Sequence, residues 1–107
     1  MLKANGSMQD FVNAFIKKYQ LQTDAKTRYI DVASEIGELG KEILVSTDYG
    51  KMDLDVNAQM ADEMGDCLFS ILALCCELDI DAQEALAKAL AKYEKRFAKK
   101  GDIGSAL

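Results

Sequence analysis

The chain has 107 residues, 50% of them hydrophobic, with a net charge of −5, no proline and no histidine. That length suits one domain, and the Ala-, Leu-, Lys- and Glu-rich composition without proline points to an all-α fold. The acidic balance and the lack of a basic run argue against a nucleic-acid polymer as partner, and the missing histidine excludes imidazole from catalysis and metal ligation.

Residues 1–7 are short and polar and lack the apolar core of a signal peptide, so they are read as a loose leader before a single helical domain over 8–100. Within the domain, Met8, Phe11, Val12, Phe15, Ile16 and Tyr19 recur at helical spacing and predict a first helix over Met8 to Gln20. Its aromatic stripe, Phe11, Phe15 and Tyr19, either packs in the core or walls a pocket for a flat ligand.

Thr23 or Asp24 can cap a second helix, expected over Ala25 to Ser46. Tyr29, Val32, Ala33, Ile36, Leu39, Ile43 and Leu44 form its apolar stripe. Asp31, Glu35, Glu38 and Glu42 follow at spacings of 4, 3 and 4 and form an acidic stripe beside it. Gly37 and Gly40 each cost about 1 kcal/mol relative to alanine in a helix interior, which suggests close approach by a helix or ligand. A connector follows, with a turn signal at Asp48-Tyr49-Gly50.

The third helix is expected from Val56 or Asn57 to Leu78. Its first half carries Gln59, Asp62, Glu63 and Asp66. Its second half is nearly all apolar, which predicts burial on every side and a recessed Asp66. Cys67, Cys75 and Cys76 are odd in number and lie in this apolar run, so they read as reduced thiols of a cytoplasmic protein. Asp81 with Glu84 resembles a capping box for a fourth helix over Ala82 to Lys99. Its apolar face is Ala85, Leu86, Ala89, Leu90, Tyr93 and Phe97, and its last turns are basic. Residues 101–107 read as a loose tail. No apolar run is long enough to span a membrane.

Two words stand out: Glu35-Ile36-Gly37-Glu38 and Glu63-Met64-Gly65-Asp66. Each sets two carboxylates one helical turn apart on one face. If the second and third helices pack antiparallel, four carboxylates converge. At an effective dielectric of about 20, two unit charges about 4 Å apart repel by about 4 kcal/mol, and a hard divalent cation removes that penalty. The proposed ligands are Glu35, Glu38, Glu63 and Asp66. An all-oxygen set suits Mg²⁺, with Mn²⁺ a substitute, and a carboxylate-held Mg²⁺ commonly takes phosphate oxygens as further ligands. A polyphosphate substrate follows.

These words resemble the signature of the MazG-like all-α nucleoside triphosphate pyrophosphohydrolases, E-E-x-x-E followed by E-x-x-D. Ser34-Glu35-Ile36-Gly37-Glu38-Leu39 matches the first part and Asp62-Glu63-Met64-Gly65-Asp66-Cys67-Leu68-Phe69 the second, with 24 residues between Glu38 and Glu63. Lys92-Tyr93-Glu94-Lys95-Arg96-Phe97 resembles the family's K-x-x-R-R-F ending. Ser34 stands where the family has its first Glu. The resemblance implies a four-helix bundle-like, oligomeric subunit, as a homodimer or homotetramer. It also implies cleavage of a (deoxy)nucleoside triphosphate between the α and β phosphates, in a house-cleaning role. Glu38 or the nearby Glu42 would accept the proton of the attacking water, and Lys92, Lys95 and Arg96 would hold phosphate oxygens. Phe11, Phe15, Tyr29 and Ser70 are candidates for the base pocket by position. A phosphoribosyl-ATP pyrophosphohydrolase and a non-catalytic helical dimerisation module are the rival readings.

Overall fold

The structure, a computed structural model, describes residues 6–100. Four helices follow in the expected order: α1 (Met8–Lys18), α2 (Ala25–Ser46), α3 (Ala58–Glu77) and α4 (Ala82–Lys100). No strand occurs among the described residues. Residues 1–5 of the expected leader and the expected tail, 101–107, lie outside the described residues.

Local chemistry sets the helix ends. Ser7 Oγ accepts from the Asp10 N–H at 3.0 Å and Asp10 Oδ2 accepts from the Ser7 N–H at 3.3 Å, a reciprocal capping box. Ser7 is therefore the N-cap of α1. That helix ends before Gln20, the expected last residue, because Gln20 turns left-handed at φ 54°. Asp24, not Thr23, caps α2, its Oδ1 accepting from the Thr27 N–H at 2.7 Å. Asn57 caps α3 through the Met60 N–H at 2.9 Å, and Asp81 caps α4 through the Glu84 N–H at 3.0 Å. In the connector, Asp48, Tyr49 and Gly50 are all left-handed, at φ 49°, 59° and 87°. Thr47 braces this turn: its hydroxyl donates to the Ile43 carbonyl at 2.8 Å and accepts from the Gly50 N–H at 3.0 Å.

α2 and α3 form the principal packed pair. Tyr29 shares a hollow with Leu74 and Leu78, while Glu35, further along α2, meets Glu63 and Asp66, earlier on α3. The two helices therefore run antiparallel. α1 lies against α3, with Phe15 and Phe69 edge to face at 5.8 Å between centroids. The buried apolar residues are Ile16, Met60, Cys67 and Ala73.

α3 is central, yet Met64, Leu68 and Ile71 on its outward face remain exposed. The expected burial on every side is not met within one copy, because two helices cover only part of its circumference. Asp66, expected to be recessed, is exposed as well. The first helix's aromatic stripe stays outside the core within one copy: Phe15 meets Phe69 edge to face but is exposed, Tyr19 is exposed too, and Phe11 is half-buried.

The start of α4 is held against α1. Gln9 Nε2 donates to the Ile80 carbonyl and Gln9 Oε1 accepts from the Ala82 N–H, both at 2.7 Å. Beyond that clasp α4 does not pack along α2 or α3. Leu86, Leu90 and Phe97 are 59%, 57% and 59% exposed. The radius of gyration, 16.8 Å, exceeds the roughly 13 Å of a compact chain of this length.

Candidate functional site

The antiparallel pairing of α2 and α3 decides where the acids go. Glu35 and Glu38 sit one turn apart on α2, and Glu63 and Asp66 one turn apart on α3. One carboxylate oxygen each from Glu35, Glu63 and Asp66 lies within 4.8 Å of the others. Glu35 and Glu63 are half-buried and Asp66 is exposed. Three of the four expected metal ligands thus meet. Glu38 stands outside the trio, exposed, though its charge reaches Glu35. Glu42 continues the same stripe one turn on, half-buried and also outside the trio.

The electrostatics of the trio are those of an uncompensated anionic site. Burial, followed by the negative charges of Asp66, Glu63, Glu38 and Asp31, pushes the Glu35 carboxyl above its ordinary value. Gln59 Nε2 donates to Glu63 Oε1 at 3.1 Å and steadies one of the three acids. Cys67 lies in the same seam. Burial, and then Glu35, Glu63 and Asp66, raise its thiol pKa, so it stays protonated and is a poor metal ligand.

A divalent cation fits this donor set. An octahedral Mg²⁺ holds oxygens at about 2.1 Å, which places adjacent ligands about 3 Å apart. Oxygens spread over as much as 4.8 Å need to draw in by no more than about 2 Å, within the reach of glutamate rotamers. The donors are all hard oxygens, as Mg²⁺ and Mn²⁺ require.

The expected phosphate-holding cations are not gathered with the trio within one copy. Lys92 and Lys95 are exposed on α4 and Arg96 is half-buried there. Lys92 and Arg96 flank their own helix neighbour Tyr93, at 5.2 and 6.0 Å from the ring centre. The base-pocket candidates are dispersed too. Phe11 and Phe15 line an apolar hollow of about 340 Å³ with Gly65, Phe69 and Leu72, on the α1 side of α3. Tyr29 lines a different hollow, and Ser70 is buried on α3 one turn beyond Asp66.

Arg28 is the residue that sequence reasoning passed over. It is buried on α2, donates to the Leu21 carbonyl, and lies 3.9 Å from Asp31, while its Nε has no partner. Its one signal in the sequence was its position two turns before Glu35, in line with the acidic stripe.

The model of the MazG nucleotide pyrophosphohydrolase domain matches residues 22–99. The chain belongs to this family. The matched span takes in the whole of α2 and α3, nearly all of α4 and both acidic pairs, and leaves α1 outside. Comparison with curated proteins and with solved structures gives no match. The MazG domain here is all-helical, and among its described residues no helix is long and apolar enough to cross a membrane.

Proposed function

We propose that this MazG domain hydrolyses ribo- or deoxyribonucleoside triphosphates between the α and β phosphates, giving a monophosphate and pyrophosphate. The observation that carries this reading is the meeting of Glu35, Glu63 and Asp66 from two separate helices in a chain of this family. Glu35, Glu63 and Asp66 hold Mg²⁺, or Mn²⁺ in its place, with Glu38 as a fourth carboxylate within reach. When bound, the cation neutralises the triphosphate and orients it.

The chain's own residues supply the rest. Glu38 or Glu42 accepts a proton from water as its oxygen forms a bond to phosphorus. The bond between that phosphorus and the α–β bridging oxygen breaks, and pyrophosphate leaves with the electron pair. Lys92, Lys95 and Arg96 hold phosphate oxygens and offset charge on the leaving group. The substrate pool is cytoplasmic nucleotides, and the role is removal of non-standard or surplus triphosphates. The uncovered faces of α3 and α4 support a homodimer or homotetramer as the working form.

The test is a panel of ribo- and deoxyribonucleoside triphosphates, with phosphoribosyl-ATP assayed beside them, all with Mg²⁺ and scoring pyrophosphate against orthophosphate. Pyrophosphate with a monophosphate is expected. Orthophosphate as sole product, or no turnover across the panel, would reject the reading. Turnover confined to phosphoribosyl-ATP would move the chain to a biosynthetic role.

A further inference from the structure

Glu63 differs from the other two acids of the trio in one respect. Among the described residues, no side-chain hydrogen bond or ion pair reaches Glu35 or Asp66, whereas Gln59 Nε2 donates to Glu63 Oε1 at 3.1 Å. One carboxylate of the three is therefore held before any cation arrives.

The sequence builds this contact locally. Gln59 precedes Glu63 by one turn, so the two side chains lie one above the other on α3. Asn57 orders the turn that carries Gln59. Its Oδ1 accepts from the Met60 N–H at 2.9 Å, and its carbonyl accepts from the Ala61 N–H at 3.3 Å. Gln59 itself is exposed, and an exposed pair at this spacing adds little to the fold. Its effect falls on the carboxylate. A free glutamate turns about each of its side-chain bonds, whereas one engaged through Oε1 keeps its plane and leaves Oε2 open.

Hard cations differ in what they ask of such a group. Mg²⁺ demands a near-ideal octahedron of single oxygens, while Ca²⁺ takes about six to eight oxygens in a looser shell and often grips a carboxylate through both. A two-oxygen grip on Glu63 would have to displace the Gln59 amide. One-oxygen ligation would not.

We propose that Gln59 is a positioning residue for the metal site, holding Glu63 to one-oxygen ligation and so raising the affinity for Mg²⁺ relative to Ca²⁺. The proposal rests on the functional reading above for the presence of a cation at the trio. Gln59 touches neither substrate nor cation and acts through Glu63 alone.

Calorimetric titration of the metal-free chain with Mg²⁺ and, separately, with Ca²⁺ tests this without any turnover. Gln59→Met keeps the length of the side chain and loses the donor. It should bind Mg²⁺ about 10-fold more weakly than wild type while Ca²⁺ binding is unchanged or tighter, so that the ratio of the two affinities falls about 10-fold. Gln59→Lys restores a donor and adds a positive charge. It should weaken both ions and keep the ratio close to that of wild type. The metal-free melting temperature should stay within about 2 °C of wild type in both variants, because the contact is an exposed one. Equal weakening of both ions in Gln59→Met, an unmoved ratio, or a ratio that collapses in Gln59→Lys as well would overturn the proposal. Intact Mg²⁺ binding with an unmoved ratio sinks this proposal alone. A wild-type chain that binds neither ion sinks the functional reading and this proposal with it.

Discussion

The substitution Glu63→Gln removes one of three anionic oxygens that lie within 4.8 Å of one another, and keeps side-chain shape and volume. Gln59 is the only hydrogen-bond neighbour described for the Glu63 side chain, and it can still donate to the new amide oxygen. Loss of a partner that merely orients a ligand weakens metal affinity by about 10–100-fold, so loss of a ligand itself should reach the upper end. With Mg²⁺ at about 100 times its dissociation constant, the wild-type fold gains about 2.7 kcal/mol. A variant that binds about 100-fold more weakly gains about 0.4 kcal/mol at the same concentration. At about 5 °C per kcal/mol for a domain of this size, the Mg²⁺-linked rise in melting temperature falls from about 13 °C to about 2 °C. The assay is a thermal melt with and without Mg²⁺ at one protein concentration, since any association also shifts the midpoint. An undiminished Mg²⁺ shift in the variant would refute a cation shared by α2 and α3.

Further outcomes follow from other parts of the molecule. Glu35 holds its proton to higher pH in the folded chain than in the unfolded one, so its contribution to stability is fully present at acid pH. That contribution is lost as pH rises from the ordinary glutamate range through its raised value. In chelator-treated protein, Glu35→Gln should therefore gain melting temperature over wild type across that window, and a difference that shrinks as pH rises would contradict the sign. Asn57→Ala removes the cap of α3 and should cost about 1 kcal/mol, read as a fall of roughly 4–8 °C in melting temperature, while Asn57→Asp keeps the cap. Cys67 is buried with a raised thiol pKa, whereas Cys76 is half-exposed. A thiol reagent at neutral pH should modify Cys76 first and Cys67 only on unfolding, and equal rates would mean that the α2–α3 seam opens.

The parts of the fold written in local chemistry were legible before the structure. Capping side chains act over three residues, so Asp24, Asn57 and Asp81 could be read as helix starts from composition alone. The acidic pairs were legible for a similar reason: their spacing fixes a shared helix face, and one antiparallel pairing brings the faces together. What depends on distant chain was harder to see. Apolar composition gave α3 a buried circumference, but how much is covered depends on how many helices one copy brings, and α4 goes elsewhere. Asp66 is exposed although its neighbour Cys67 is buried, because successive residues of a helix point about 100° apart. Arg28 was missed because a basic residue in an acidic stripe looks like surface, whereas the Leu21 carbonyl in the α1–α2 link draws it inward. The base-pocket candidates share a residue class but not a face, and the helices set them apart.

The seat of α1 on α3 carries a consequence for biosynthesis. α1 is complete at Lys18, but its platform ends only at Glu77. At about 5–20 residues per second, Phe11, Phe15 and Tyr19 wait on the order of 3–12 s for Phe69 and its neighbours to leave the ribosome. α2 and α3 are consecutive and can zip up as soon as α3 emerges, because their contacts span little intervening chain. Over that interval the nascent chain carries the aromatic ridge of α1 without its platform, and a chaperone or a premature encounter with another nascent chain would find it then.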